Sequence, residues 1–195
     1  MTKLKIVLLN SCLLLSPFLA VKQASAMDFR IYYQPELKQR VVIGEGIISN
    51  GDDTKFLAAA KNADVDNKGY ITFVLDSLGG SVSAAFSLVS AMDKFKISAV
   101  VPENALCASA CASIVYISAE RHLVVGSGKL GFHTCYTAID RKPEPSSVCN
   151  ELIAQNAVSR GTSFASVDMF TYDYGPENMA WLDKELACAV GLCRH

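Results

Sequence analysis

The sequence has little of what a nucleic-acid-binding protein needs. Its 18 Lys and Arg residues are interspersed with 19 Asp and Glu residues, so the formal net charge is −1 and no basic cluster is present to neutralise phosphates. Repeats, low-complexity tracts and changes of composition along the 195 residues are also lacking. We therefore expect one domain and no nucleic-acid partner.

A long apolar run is missing as well. The longest such run, residues 6–21, is interrupted by a proline and is shorter than the roughly 20 apolar residues of a membrane-spanning helix. It follows two lysines and precedes the small residues 24–26, which read Ala-Ser-Ala. A positive start, an apolar run and small residues at the end are typical of a cleaved secretory signal.

The sequence therefore predicts a signal peptide over residues 1–26 and a mature domain over residues 27–195. We expect the mature protein to be periplasmic or secreted, with no stable membrane anchor. Lipid attachment at Cys12 is an alternative, which is weakened by the short stretch of residues before that cysteine.

Cysteine is well represented, with seven residues, of which six lie beyond the signal segment. An even number of cysteines in an exported chain indicates disulfides. We favour a Cys188–Cys193 bridge, which would close the last turn of the chain. We also favour a Cys135–Cys149 bridge, which would tie a strand to the following helix.

A metal site is the alternative use of these cysteines. His133 and Cys135 would lie near Cys107 and Cys111, and thiolate and imidazole groups are zinc ligands. Exported thiols are more often bridged than metal-bound, so we expect no metal and no cofactor.

Apolar, β-branched runs alternate with stretches of helical periodicity, which predicts an α/β fold with a mostly parallel sheet, right-handed crossover helices and a C-terminal helical segment. The predicted strands are residues 40–49, 70–76, 97–101, 121–125 and 129–133, with an edge strand or loop over 27–38. The predicted helices are residues 54–63, 81–96, 109–119, 146–160 and 163–170, with a last helix from Asp183 to Gly191 and a polar loop past Arg141.

The segment 104–113, NALCASACAS, contains the first candidate catalytic residue. Ser109 would start a helix, where free backbone N–H groups favour negative charge. The Ala110 N–H would be one donor to an oxyanion, and the turn formed by Gly79 and Gly80 would supply the other, because residues without Cβ allow a close approach to substrate. The alternative is that Ser109 merely caps its helix.

His133, at the end of a predicted strand, is the candidate base for Ser109. A histidine in that position is often structural, and its order relative to Ser109 and to the Gly-Gly turn is what singles it out.

The block 70–133 resembles the proteolytic subunit of the Clp protease, in the crotonase-like superfamily. The shared order is a strand, a Gly-Gly turn, a crossover helix, a small-residue Ala-Ser segment and two short strands that end in His. The resemblance implies that Ser109 is the nucleophile and His133 the base. Leu78 replaces the proline of the family's turn.

The third catalytic residue departs from the family. Aligning the closing helix on its Gly-Leu ending places the family's aspartate at Met179, which is unable to orient an imidazole. Glu177 is our candidate, with Asp173 and Asp183 as alternatives.

Together these features predict that the protein is an exported serine peptidase that acts on a peptide or protein substrate. The alternative is a binding or scaffold protein that retained the fold and lost efficient catalysis. Acyl-CoA chemistry on the same superfamily fold is disfavoured, because an exported enzyme would rarely meet CoA. The resemblance also implies a homo-oligomer formed through residues 134–170, with apolar positions at Val148, Leu152, Ile153, Val167 and Phe170.

We predict that the mature chain begins at Met27, because the small residues that precede it follow an apolar run. N-terminal sequencing of the exported protein checks this, and an exported chain that begins at Met1 contradicts it.

Overall fold

The computed structural model describes residues 25–139, 142–163, 166–168, 174–175 and 177–195. Most of the predicted signal peptide, Phe170 and Asp173 lie outside the described residues. The strands are β1 Asp28–Gln34, β2 Gln39–Glu45, β3 Tyr70–Asp76, β4 Lys96–Val101, β5 Leu106–Ala108, β6 Arg121–Val124, β7 Lys129–Phe132, β8 Tyr136–Ile139, β9 Lys142–Pro145 and β10 Ala180–Leu182. The helices are α1 Asp52–Ala60, α2 Val82–Met92, α3 Cys111–Tyr116 (of π type), α4 Ser147–Ser159 and α5 Lys184–Ala189.

A five-stranded sheet, in the order β1-β2-β3-β4-β6, forms the centre of the fold. β1 pairs antiparallel with β2 at one edge, and the other neighbours in this sheet pair parallel. α2 connects β3 to its parallel neighbour β4, and its N-cap is Ser81, whose hydroxyl accepts from Ala84 N–H. The predictions of an α/β chain and of parallel pairing between residues 70–76 and 97–101 are confirmed.

A second, three-stranded sheet has the order β10-β7-β5. β5 and β7 run parallel, with Cys107 opposite Leu130 and Ala108 opposite Gly131. The sequence did not predict β5 or β10, because each is only three residues long and shows no periodicity of its own. This small sheet brings the ends of β5 and β7 to the same edge.

Two further elements differ from the sequence-based prediction. α1 starts at Asp52 rather than at residue 54, and the Asp52 carboxylate reaches back to accept from Ser49 N–H at 2.7 Å. Where a polar loop was predicted past Arg141, β9 pairs antiparallel with β8 over four residue pairs. Pro143 and Pro145 disguise this strand in the sequence, since proline is tolerated only at edges of sheets.

The first described residues run alongside the end of β2. Ile47 N–H donates to Ser25 O, and Met27 N–H donates to Ile47 O, both at 2.8 Å. The Met27 side chain is 1% exposed and belongs to the core. Among the described residues no helix has the length and apolar character needed to cross a bilayer.

Three disulfides join the six cysteines that follow the predicted signal peptide: Cys107–Cys111, Cys135–Cys149 and Cys188–Cys193. The two predicted bridges are confirmed. Of the cysteines in the alternative metal site, Cys107 and Cys111 are bonded to each other and Cys135 is bonded to Cys149. Such a set of disulfides is typical of an oxidising, extracellular environment.

The apolar positions proposed for assembly divide into two groups. Ile153 is 3% exposed and Val167 is fully buried, so both pack in the core of this chain. Val148 and Leu152 are 69% and 50% exposed on α4. The outward surface of α4 therefore keeps two of the predicted contact residues.

His122 is a fully buried histidine that is separate from the candidate site. Its Nδ1–H donates to Ala119 O at 3.1 Å, its ring packs against Tyr116, and its Nε2 has no hydrogen-bond partner among the described residues. The pKa of His122 is lowered from 6.5 to about 4, chiefly by burial. The hydrogen bond to Ala119 O raises this pKa, whereas the positive charge of Arg194 lowers it. The fold therefore holds this imidazole neutral.

We predict that His122 makes the protein sensitive to acid. The unfolded chain takes up a proton at this residue near pH 6.5, whereas the folded protein does so only near pH 4. The free energy of unfolding should therefore fall as the pH falls between these values, by on the order of 3 kcal/mol. Urea unfolding at several pH values checks this. His122→Gln is the control, because the glutamine amide keeps a hydrogen-bond donor for Ala119 O and does not titrate. Equal pH slopes in the two proteins would contradict the assignment.

Candidate active site

The ends of three strands are tied together by backbone hydrogen bonds. Ser77, which follows β3, donates its N–H to Leu106 O at 2.6 Å and accepts from Ala108 N–H at 2.9 Å. Ser109, which follows β5, donates its N–H to Gly131 O of β7 at 2.8 Å. The Gly-Gly turn, Ser109 and His133 are therefore brought together by the pairing of the strands that precede them.

Ser109 occupies a sharp turn between β5 and the helical segment that contains α3. Its φ of 54° lies in the left-handed region, which is unfavourable for a residue that has a Cβ. Its carbonyl accepts from both the N–H and the hydroxyl of Ser113, at 2.9 Å each. Its own hydroxyl makes no hydrogen bond to the described residues, so the structure does not use it as a helix cap.

The Cys107–Cys111 disulfide spans this turn. The two Cα atoms are 5.2 Å apart, both residues are fully buried, and Ser109 is the middle residue of the closed loop. The bond therefore joins the strand before Ser109 to the first turn of the helix after it.

Gly79 lies directly against the Ser109 turn. A Cβ at residue 79 would be 2.7 Å from Ser109 Cβ and 2.9 Å from Ala110 N, which real side chains do not tolerate. The Gly79 N–H donates to Ser77 Oγ at 3.1 Å, so it is not available to a substrate. Gly79 therefore allows its own backbone to lie close to the backbone of the Ser109 turn, and it supplies no hydrogen-bond donor to a substrate.

Gly80 N–H is oriented by the peptide bond that it shares with Gly79. The Gly79 carbonyl accepts from Ile48 N–H at 2.8 Å, and in a trans peptide the N–H points opposite to the carbonyl. The Gly80 N–H therefore points away from Ile48, and among the described residues it has no acceptor. Gly80 lines the cavity that also contains Ser109.

Ala110 N–H is oriented in the same way. The Ser109 carbonyl points along the helix toward Ser113, so the Ala110 N–H of that peptide points out of the helix start. It also has no acceptor among the described residues. Two unpaired N–H groups, those of Gly80 and Ala110, thus belong to residues that line one cavity.

His133 follows β7 directly and is partly buried. Its Nδ1 lies 2.7 Å from Thr134 O. A carbonyl only accepts, so Nδ1 carries the proton, and Nε2 of the neutral ring is left as an acceptor. The ring also packs near Tyr136, with the two centroids 5.6 Å apart.

No carboxylate orients the imidazole among the described residues. The Glu177 side chain is exposed, and no hydrogen bond joins it to His133. Asp183 accepts from Leu186 N–H at 2.9 Å and caps α5, while Asp173 lies outside the described residues. Met179, the position that aligns with the family's aspartate, packs its sulfur against Gly131.

A cavity of about 360 Å³ joins these groups. Gly80, Ser109, Ala110 and His133 line it, together with Val82, Ile153, Tyr136 and the Cys135–Cys149 disulfide. No hydrogen bond links Ser109 to His133 among the described residues. Catalytic pairs are often further apart in the unliganded state, so the shared cavity is the more informative observation.

A larger groove of about 600 Å³ lies beside the Gly-Gly turn and is lined by Ser77, Leu78 and the charged residues Asp28, Arg30, Glu45 and Asp76. It contains neither Ser109 nor His133, and the Arg30 and Glu45 side chains in it form an ion pair at 3.0 Å. It therefore offers less chemistry than the smaller cavity. Among the described residues no group of three or more His, Cys, Asp or Glu side chains is placed to hold a metal ion.

Asn150 positions the segment that follows His133, and the sequence-based prediction did not include it. It is 4% exposed on α4, where its amide donates to Thr134 Oγ1 and its carbonyl accepts from Cys135 N–H, both at 2.7 Å. It thereby holds the segment that follows His133. A signal was present, since Asn150 shares a helical stripe with the buried residues Ile153, Ala154 and Ala157.

Comparison with known proteins finds no family model that matches the chain, and no curated protein matches it.

Proposed function

We propose that this protein is an exported serine peptidase with a Clp-protease-like fold. One observation carries the proposal. A serine hydroxyl on a left-handed turn, the imidazole of His133 and two backbone N–H groups belong to residues that line one cavity. Within the part of the chain that the structure describes, neither the imidazole Nε2 nor the two N–H groups have a hydrogen-bond partner. These are the parts that acyl transfer needs.

In the proposed reaction the Ser109 hydroxyl attacks a peptide carbonyl and His133 Nε2 takes its proton. The same nitrogen then returns the proton to the leaving amine, and water repeats the sequence to release the acyl group. The Thr134 carbonyl holds the tautomer that this requires. A carbonyl carries no full charge, so it stabilises the imidazolium less than an aspartate would, and a slower enzyme is expected.

The Gly80 and Ala110 N–H groups would stabilise the oxyanion. Each points away from the hydrogen-bonded carbonyl of its own peptide unit, and neither donates to any other described residue, so both are available to a substrate. Gly79 and Ser81 already pair with Ile48 on one side. A substrate peptide would pair in extended form with the other side, as an added strand.

The alternative is a binding protein that has lost efficient catalysis. The observation that favours it is the absence, among the described residues, of a carboxylate on His133 Nδ1. Such a protein would bind a peptide along Gly80 and would not form a covalent bond through Ser109.

We predict that a fluorophosphonate labels the wild-type protein and that Ser109→Ala abolishes labelling with the fold intact. His133→Ala should slow labelling by about 10³-fold or more, because removing one member of a catalytic unit typically lowers the rate by several powers of ten. Mass spectrometry of the labelled protein gives the site, and the rate of labelling gives the effect.

Two variants serve as controls. Ser83→Ala removes another hydroxyl from the same cavity and should label normally. Glu177→Gln should also label normally, because Glu177 is exposed and no hydrogen bond joins it to His133. An unlabelled wild-type protein that still binds peptides would support the scaffold alternative.

We also propose that the protein forms a homo-oligomer through the exposed surface of α4, as the resemblance implies. Val148 and Leu152 are one helical turn apart and remain exposed, so they would form a continuous apolar contact.

We predict that Leu152→Asp dissociates this oligomer, because it places a charge in an apolar contact. Val158→Asp is the control, since Val158 is equally exposed (50%) on a different face of the same helix. Light scattering at micromolar concentration measures the mass of each protein. A monomeric wild-type protein would contradict the proposal.

A further inference from the structure

The Cys107–Cys111 disulfide encloses the residue that the proposed function places at the centre of the chemistry. The loop it closes runs from the middle residue of β5 to the first residue of α3, and Ser109 is the middle residue of this loop. Cys107 is fixed at one end by pairing with Leu130 of β7 and by a bridge to Ser77. The bond therefore attaches the start of the helix to a strand that is already held in place.

Ser109 needs such an attachment because its backbone conformation is unfavourable. A φ of 54° is ordinarily occupied by glycine, but glycine has no hydroxyl to act as a nucleophile. The chain must therefore hold a serine where glycine would be the stable choice. Hydrogen bonds from Ser109 N–H to Gly131 O and from Ser113 to Ser109 O act on either side of the turn.

We propose that the Cys107–Cys111 disulfide is a positioning element for the reaction, which keeps Ser109 in its left-handed conformation. If residue 109 relaxed to a right-handed conformation, its hydroxyl would move and the Ala110 N–H would turn, so nucleophile and oxyanion donor would be lost together. The 5.2 Å separation of the two Cα atoms lies within the range that a disulfide enforces. This inference rests on the proposed function, because it assigns the disulfide to the same site.

The chain contains a matched control for the test. The Cys188–Cys193 disulfide spans five residues of sequence against four for Cys107–Cys111, so removing either one frees a loop of nearly the same length. It lies at the end of α5, outside the candidate site. Phe56→Leu, at a fully buried position of α1, is a second control for loss of core packing.

The experiment compares fluorophosphonate labelling of the wild-type protein, Cys107→Ala/Cys111→Ala, Cys188→Ala/Cys193→Ala and Phe56→Leu, at a temperature where all four are folded. We expect the first double variant to lose about ten- to hundredfold in the limiting labelling rate, since small displacements of a nucleophile have effects of that size. The probe concentration that gives half of this rate should change little. The other two variants should label within about twofold of wild type.

Labelling of Cys107→Ala/Cys111→Ala at the wild-type rate would overturn the inference while leaving the proposed function intact. An equal loss of rate in the Phe56→Leu and Cys188→Ala/Cys193→Ala proteins would also overturn it, because the effect would then follow stability alone. If the Ala pair does not fold, Cys107→Val/Cys111→Ala keeps more of the buried volume and takes its place.

Hydrogen exchange over residues 107–113 tests the inference without using the chemistry. We expect faster exchange there in Cys107→Ala/Cys111→Ala and unchanged exchange in the Cys188→Ala/Cys193→Ala protein. Unchanged exchange in both would overturn the inference. An unlabelled wild-type protein would count against the proposed function, and faster exchange would still show that the disulfide holds the turn.

Discussion

The left-handed backbone of Ser109 is the constraint on which the rest of the site depends. A residue with a Cβ adopts this conformation only where its surroundings hold it there. Gly79 has no side chain, which lets its backbone approach the turn, and Gly131 O accepts the Ser109 N–H. Gly79 follows β3, Gly131 lies in β7 and Ser109 itself follows β5. The backbone geometry of Ser109 therefore requires that these three strands pair correctly.

Elements with strong local signals could be predicted from the sequence. α2 and α4 have Ser caps and apolar stripes, and β3 and β4 are apolar runs, so their type and position follow from patterns that tertiary structure does not override. β5, β10 and the β8–β9 hairpin were missed. They are short or contain proline, and their existence depends on partners that are distant in sequence.

The candidate site divides along the same line. Ser109, His133 and the Gly-Gly turn carry recognisable side chains or glycines in an ordered series, and the structure brings them to one cavity. The group that orients His133 has no recognisable sequence signal, because it is the backbone carbonyl of Thr134. A search for a third side chain could only arrive at nearby acids such as Glu177. Every residue has a carbonyl, so no sequence pattern marks the one that is used.

The disulfides compensate for the small size of the sheet that carries the site. β5 has three residues and β7 has four, which gives few ladder hydrogen bonds to hold the two strand ends in register. One bridge closes the turn at Ser109, and a second joins Cys135, two residues after His133, to α4. Covalent bonds thus stabilise both segments at the points where backbone pairing stops. Disulfides persist in an oxidising environment, to which this arrangement is suited. The geometry of the candidate site therefore depends on the redox conditions around the protein.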